Sequence, residues 1–381
     1  MSKQLTQSKD LTTGSIYRHL INLAIPASMG MFFNTLYNLT DNWFAGKISD
    51  DALVGLSISS IVFYLFIGLL AGLQNGTSVM VSSELGANKG VSLKAVTRNS
   101  MSVGVIFSFI VVLLGLFLAQ ETIDWLSTRD ISRVYAWDYI QILLVGNIGF
   151  AVSAVAAGAL MALGDTRSNR NVLVVGFFAN LVLNPLLTFG LNMGVAGLAW
   201  ATLIIKFASA AYLLVVLSKR LGFQLRLQFE APLIAKILKQ VLPASLNFFI
   251  MIVGSLMVTA FVSRFGDYAI AGYSVGLRLE QVLLLPALGL NAAVLAISGQ
   301  NFGAKNYRRI SETYRKAQLL GLSISVICTP AMIFLSPLLL SFFSTQDEII
   351  NTGVQYLKID AFAFFCYVSL FISVATLQAT K

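Results

Sequence analysis

Charge is what this sequence has least of. Asp, Glu, Lys and Arg make up 11% of its 381 residues, against about a quarter in soluble domains. So few charges cannot hydrate a surface of this size, which excludes a soluble globular domain and leaves lipid as the solvent for most of the chain. There is one histidine, His19, so imidazole acid–base chemistry and a zinc site are not expected. The two cysteines, Cys328 and Cys366, lie far apart inside apolar runs with no CxxC spacing. That argues against a disulfide scaffold or a tightly bound metal. HExxH, GxSxG and similar signatures are missing, which argues against an enzyme and, with no cofactor motif, against a cofactor. The first fifteen residues are polar and do not form a cleavable leader, so the first long helix itself must direct insertion.

Apolar segments are what is present, 57% of residues being hydrophobic with a mean hydropathy of +0.79. A spanning helix needs about 20 apolar residues. That length places helices near 17–45, 53–80, 94–118, 134–162, 170–190, 195–217, 237–263, 269–298, 314–341 and 350–379, ten in all. No strand is expected, because a helix satisfies its own backbone in lipid. The fold class is all-α integral membrane protein. The formal charge of +9 could suggest nucleic acid, but topology accounts for it better. Nineteen of the 26 Lys and Arg fall in loops on the side of the N-terminus and four on the other, while Lys206, Arg278 and Lys358 lie within helices. Such a bias puts the N-terminus in the cytoplasm of a multi-pass protein of the bacterial inner membrane.

An internal repeat runs at one offset. Ile25-Pro26-Ala27-Ser28 resembles Leu242-Pro243-Ala244-Ser245, and Ala52-Leu53-Val54-Gly55 resembles Ala269-Ile270-Ala271-Gly272. Gly86-Ala87 matches Gly303-Ala304, Ser127-Thr128 and Asp130 match Ser344-Thr345 and Asp347, Tyr139 matches Tyr356, and Leu160 matches Leu377. Every pair is 217 residues apart, a domain duplication rather than a solenoid. The offset spans six helices, an even number, so the copies are parallel repeats related by an axis along the membrane normal, with substrate between the lobes. The expected organisation is a first lobe over 1–217, a linker over 218–235 and a second lobe over 236–381. Lys381 aligns with Gly164, which leaves the second lobe four helices against six. A complete two-lobe transporter would run to roughly 435 residues. The chain therefore reads as truncated or as a ten-helix variant, truncation being preferred.

Asn34, Tyr37, Asn38 and Asp41 stand at i, i+3, i+4 and i+7, one helix face. A carboxylate at membrane depth costs about 2.5–3.5 kcal/mol on insertion scales, so it usually has a role. Asp41 could take a proton, or hold sodium transiently beside the oxygens of Asn34 and Asn38. The plainer alternative is hydration at the outer interface. Asn180 and Asn184 form an i, i+4 pair before Pro185, whose ring frees a nearby carbonyl as a further cation ligand. Interhelical hydrogen bonding would explain the pair equally well. Thr202 could complete that site. Glu280 and Asp360 are embedded acids. Glu280 is a candidate for a substrate or second charge site, weighed against a structural network with Arg278 or Lys206, and Asp360 merits mutation. Pro26, Pro243 and Pro185 are expected bending points, and Pro286 a bend that could open a cavity. None of the 27 Phe or 10 Met is assigned to substrate.

Pro26 through Gly55, the loop Glu84-Leu85-Gly86-Ala87-Asn88-Lys89 and the run Ala159 to Arg167 resemble the multidrug and toxic compound extrusion (MATE) family. So do Asn180 through Gly190 and Gly299-Gln300-Asn301-Phe302-Gly303-Ala304. The resemblance covers nearly the whole chain. It implies twelve helices in two lobes and antiport of organic, often cationic, compounds against sodium ions or protons by alternating access. Helices eleven and twelve are lacking from that pattern. It also implies that Asp41 matches the ion-coupling aspartate of the family's first helix. Many relatives carry aspartate where Asn184 stands. The expected partners are small organic substrates and membrane lipids, with no nucleic acid and a monomeric chain. The alternatives are a lipid-linked or polysaccharide flippase of related fold, disfavoured by the few embedded cations, and a non-transporting truncated product.

Overall fold

The computed structural model describes residues 9–88, 90–126, 130–341 and 346–380. The repeat anchors Ser127, Thr128, Ser344 and Thr345, and the loop cations Lys3, Lys89, Arg129 and Lys381, lie outside the described residues. Among the described residues every regular element is helical. The first half holds α1 (Ile16–Ile48), α2 (Asp50–Gly86), α3 (Gly90–Leu126), α4 (Asp130–Val145), α5 (Asn147–Ala162), α6 (Arg167–Pro185) and α7 (Gly194–Leu221). The second half holds α8 (Ala231–Val262), α9 (Asp267–Gly303), α10 (Tyr307–Pro330), α11 (Ser336–Ser341) and α12 (Asp347–Ala379). Their ends carry ordinary stop signals. Ser49 caps α2 by accepting from the Ala52 N–H at 3.0 Å, and Asp50 and Asp51 complement the dipole in its first turn. α7 closes on Gly222 at φ +67°, with Lys219 and Arg220 in its last turn.

Nine of the described helical segments are long and apolar enough to cross a membrane, and a bent pair makes a tenth. Three expected continuous helices are interrupted. The one expected over 134–162 is α4 and α5, bent by 52° at Gly146. There the Leu203 side chain of α7 comes within 2.3 Å of where a Cβ would sit, so a larger residue would have to push that side chain aside. The other two breaks follow proline. α6 ends at Pro185 and runs into a π-turn, Leu186–Gly190, while α10 ends at Pro330 and runs into Ala331–Leu335. Proline lacks an N–H and crowds the carbonyl four residues back, so a wider turn takes over. α1, α8 and α9 continue as helix through Pro26, Pro243 and Pro286.

The repeat has a direct structural expression. Gly72 of α2 backs onto Ser245 of α8, and Gly289 of α9 backs onto Ser28 of α1; a Cβ at either glycine would lie 2.0 Å from the serine Oγ. Gly86 meets the Gln300 carbonyl, and Gly303 meets the Ser83 carbonyl. Gly55 meets Ser132 and Tyr135, and Gly272 meets Ile349 and Thr352. In each case both partners shift by the same 217 residues. The halves thus join across a pseudo-two-fold axis through crossing helices α2 and α9, with α1 laid on α9 and α8 on α2. Without a hydrophobic drive between helices in lipid, such small residues let backbones approach and gain dispersion energy. The seam is closed at one end only. Ala293 to Ile297 of α9 are fully buried, whereas Ile61 and Tyr64 toward the other end of α2 are exposed.

Residues 9–14 form a strap across the closed end. The Lys9 N–H donates to the Leu163 carbonyl at 3.1 Å. The Leu11 N–H donates to Gln300 Oε1 at 3.0 Å, and Arg309 donates to the Thr13 and Gly14 carbonyls. Burial alone would raise the Asp10 carboxyl, but hydrogen bonds from Thr12 and Thr13 and the charge of Arg309 hold it below the usual range. Composition showed this stretch only as polar.

Gly86→Ala should drive a methyl into the Gln300 backbone, where nothing can swing aside. Overpacking of this kind costs about 1–3 kcal/mol. Thermal unfolding in detergent should show a clear fall in Tm for Gly86→Ala and none for Gly254→Ala, whose Cβ would meet nothing within 4 Å. Equal melting of the two would refute a tight seam.

Candidate functional site

Asp41 sits on α1 with its side chain turned into the first half, 5% exposed. A carboxylate there must find its hydrogen bonds in protein. Asn180 Nδ2 and Asn184 Nδ2, both on α6, donate to Asp41 Oδ1 at 2.8 Å. Thr202 Oγ1 on α7 donates more weakly to Oδ2 at 3.4 Å. Tyr37, one turn before Asp41, donates its hydroxyl to Thr202 at 2.8 Å. Asn184 Nδ2 also lies 3.1 Å from Asn180 Oδ1, so the two amides are tied to each other as well as to the acid. The i, i+4 spacing of 37 with 41 and of 180 with 184 stacks each pair on one face, and packing of α1, α6 and α7 brings the faces together.

The two polar clusters expected separately are therefore one site. Asn34 and Asn38 line the same cavity but are not hydrogen-bonded to Asp41 among the described residues; they stand two turns and one turn before it, on less buried positions of α1. Asn184 Oδ1 and Thr188 Oγ1 are buried with no hydrogen-bond partner. A spare buried acceptor is rare and calls for an explanation. Beside Asp41 it is a ready ligand for a cation or a bound proton donor.

The cavity measures about 320 Å³ and lies within the first half, walled by α1, α2, α4, α5, α6 and α7. It is a cavity of one half, and its described lining takes no residue from the second half. Tyr139, which the sequence marked only as a repeat anchor, lines it, as does Lys206. A larger hollow of about 700 Å³ between α1, α6 and α7 is lined by groups such as Phe33, Leu183 and Ile204 and holds no carboxylate. Arg170 is the one charged residue in its described lining, which is otherwise mostly apolar.

The second half has its own acids. Glu280 on α9 and Asp360 on α12 are buried. Tyr356 donates to Glu280 at 2.5 Å, Tyr367 donates to Asp360 Oδ1 at 3.1 Å, and Asp360 Oδ2 has no partner. Neither acid pairs with a cation among the described residues. The network of Glu280 with Arg278 or Lys206 is absent from the structure: Arg278 is exposed on another face of α9 and Lys206 belongs to the first cavity. Among the described residues no group of three or more His, Cys, Asp or Glu is placed to hold a metal.

Comparison with known proteins fits this architecture. The family model described as MatE matches residues 26–186 and 243–381. Over 360 residues the chain is 28% identical to the probable multidrug resistance protein NorM of Thermotoga maritima, covering 92% of this chain and 77% of that one. It is 25% identical over 357 residues to the FAD transporter of Shewanella oneidensis, covering 90% and 77%. Among solved structures, an outward-facing multidrug resistance MATE family transporter of the MOP superfamily superposes with a TM-score of 0.90 at 22% identity, covering all of this chain and 85% of that one. At that identity the likeness speaks for the fold.

Asp41→Leu should leave the Asn180 and Asn184 amides without their shared acceptor, a loss of about 1–3 kcal/mol for each buried group left unpaired. Asp41→Asn keeps an acceptor and should lose less. Melting curves in detergent should rank native above Asp41→Asn above Asp41→Leu, and an unchanged Tm for Asp41→Leu would contradict the described hydrogen bonding.

Proposed function

This chain belongs to the MatE family, a family of membrane transporters and not of enzymes, and on that premise we propose that it exports small organic compounds in exchange for sodium ions or protons. The observation that carries the reading is Asp41: one carboxylate, buried in a membrane helix, held by neutral donors from two other helices, beside an acceptor with nothing to accept. A cation or proton arriving there neutralises a costly charge and finds oxygens of Asp41, Asn184 and Thr202 within one small volume. The relatives' names include both multidrug resistance and FAD transport, so kinship leaves the charge of the cargo open.

Coupling requires that ion and cargo favour different arrangements of the molecule. α1 supports this because it faces two ways: Asp41 bonds to α6 and α7 of its own half, while Ser28 packs on Gly289 of the other. Occupation of Asp41 would change how firmly α1 is held by α6 and α7, with Pro26 as the place where the helix could flex. The seam, closed at the end bearing the N-terminus and open at the other, fits an outward-facing arrangement if that terminus is cytoplasmic, as the loop charges suggest. Glu280 with Tyr356, and Asp360 with Tyr367, are a second charge site in the other half, through which a cationic cargo or a further proton could pass. The setting we propose is a bacterial inner membrane, with the chain acting as a monomer.

In vesicles loaded with a fluorescent organic compound and driven by a sodium or proton gradient, the native chain should extrude dye. Asp41→Asn should reduce ion-driven efflux at least about tenfold, the effect of losing roughly 1.4 kcal/mol or more of coupling, while membrane insertion stays normal. Efflux at the native rate from that variant would remove Asp41 from the coupling step.

A further inference from the structure

One formal charge in the Asp41 cavity has no part in the reading above. Lys206 lies one helical turn beyond Thr202 on α7, and its side chain reaches the same space. No carboxylate pairs with its ammonium among the described residues. Its recorded neighbour is the face of the Phe150 ring, 5.3 Å from Nζ to centroid. Asp41 meanwhile takes its hydrogen bonds from neutral groups. Two opposite charges thus face one cavity of about 320 Å³ and attract each other across it without a direct ion pair, and they are the only formal charges in its described lining. An unpaired ammonium at membrane depth is expensive, and one aromatic face offsets only part of the cost. Inside a membrane protein charges are screened less than in water, which strengthens its attraction for any anion that enters. The same lining carries the rings of Phe63, Tyr64 and Tyr139, surfaces suited to a flat apolar body.

We propose that Lys206 is the acid-binding group of this cavity, so that the preferred substrates are amphoteric aromatic compounds whose cationic group faces Asp41 and whose carboxylate faces Lys206. The proposal rests on the export reading above and narrows it to a substrate class. The cationic end and the coupling ion then compete for Asp41, as exchange demands, while the acidic end distinguishes one cargo from another. A purely cationic compound of the same shape leaves the Lys206 ammonium unpaired and brings a second positive charge beside it.

The test uses two dyes on one ring system, a rhodamine with a free carboxylate (a zwitterion) and its methyl ester (a cation). Binding to the purified full chain is read by fluorescence anisotropy. The acid should bind about tenfold or more tighter than the ester, the scale of one charge-assisted hydrogen bond. That ratio should fall toward unity in Lys206→Met and Lys206→Gln and survive in Lys206→Arg. Equal affinities in the native chain, binding of neither dye, or an undiminished preference in a folded Lys206→Met or Lys206→Gln protein overturns the assignment. The native ratio decides the matter even where a variant fails to fold. A preference that depends on Lys206, in vesicles that export neither dye, leaves the assignment standing and overturns the export reading.

Discussion

A carboxylate inside a bilayer has no water to fall back on, and the arrangement of the first half follows from that constraint. Asp41 can stay buried only if other helices bring donors to it. Asn180 and Asn184 on α6 do so, and Thr202 on α7 does so with Tyr37 behind it. Those bonds fix how α1, α6 and α7 sit together, and thereby the cavity they enclose. A soluble protein would spread such an acid over its surface. Here the acid organises three helices, and its state of occupation becomes a property of their packing.

Much of this was legible in the chain because membrane helices announce themselves through length and apolarity. The residues that matter were also visible, since Asp41, Asn180 and Asn184 are polar groups where polar groups are costly. Their partnership was not visible. Spacing fixes which residues share a face of one helix, and it says nothing about which face of another helix meets it. So the stripe from Asn34 to Asp41 read as a single ligand set, although packing selects Tyr37 and Asp41 and leaves Asn34 and Asn38 at the cavity wall. Lys206 counted only as an embedded cation for the same reason. The bend at Gly146 and the π-turn after Pro330 escaped notice because hydropathy runs straight through them, whereas Pro185 had marked the break that ends α6. The N-terminal strap escaped because its partners, Gln300 and Arg309, lie about 290 residues away.

The duplicated frame and the charges on it obey different rules. Glycines at 72 and 86 each have a counterpart 217 residues on, and the atoms of the other half that they press against are related in the same way. Contacts that join two halves across an axis must suit both halves at once, which is why they are symmetric. Charges lie inside the halves and carry no such obligation. Asp41 stands opposite Val258 in the repeat and Glu280 opposite Phe63, so each half has placed its acid independently.

One repeated residue links the two sets. Tyr139 lines the cavity that holds Asp41, and its counterpart Tyr356 donates to Glu280. A tyrosine at this point of the helix reaches the interior of its half whichever helix supplies the acid, because its hydroxyl is both donor and acceptor and its ring is at ease among apolar neighbours. In the second half the inherited tyrosine is the hydrogen-bond partner of a buried carboxylate, while in the first it stands in the wall of the cavity that holds one. A tyrosine so placed lowers the cost of acquiring an acid wherever a side chain can reach it, and it lets two lobes of common descent carry their charges on different helices without disturbing the seam between them.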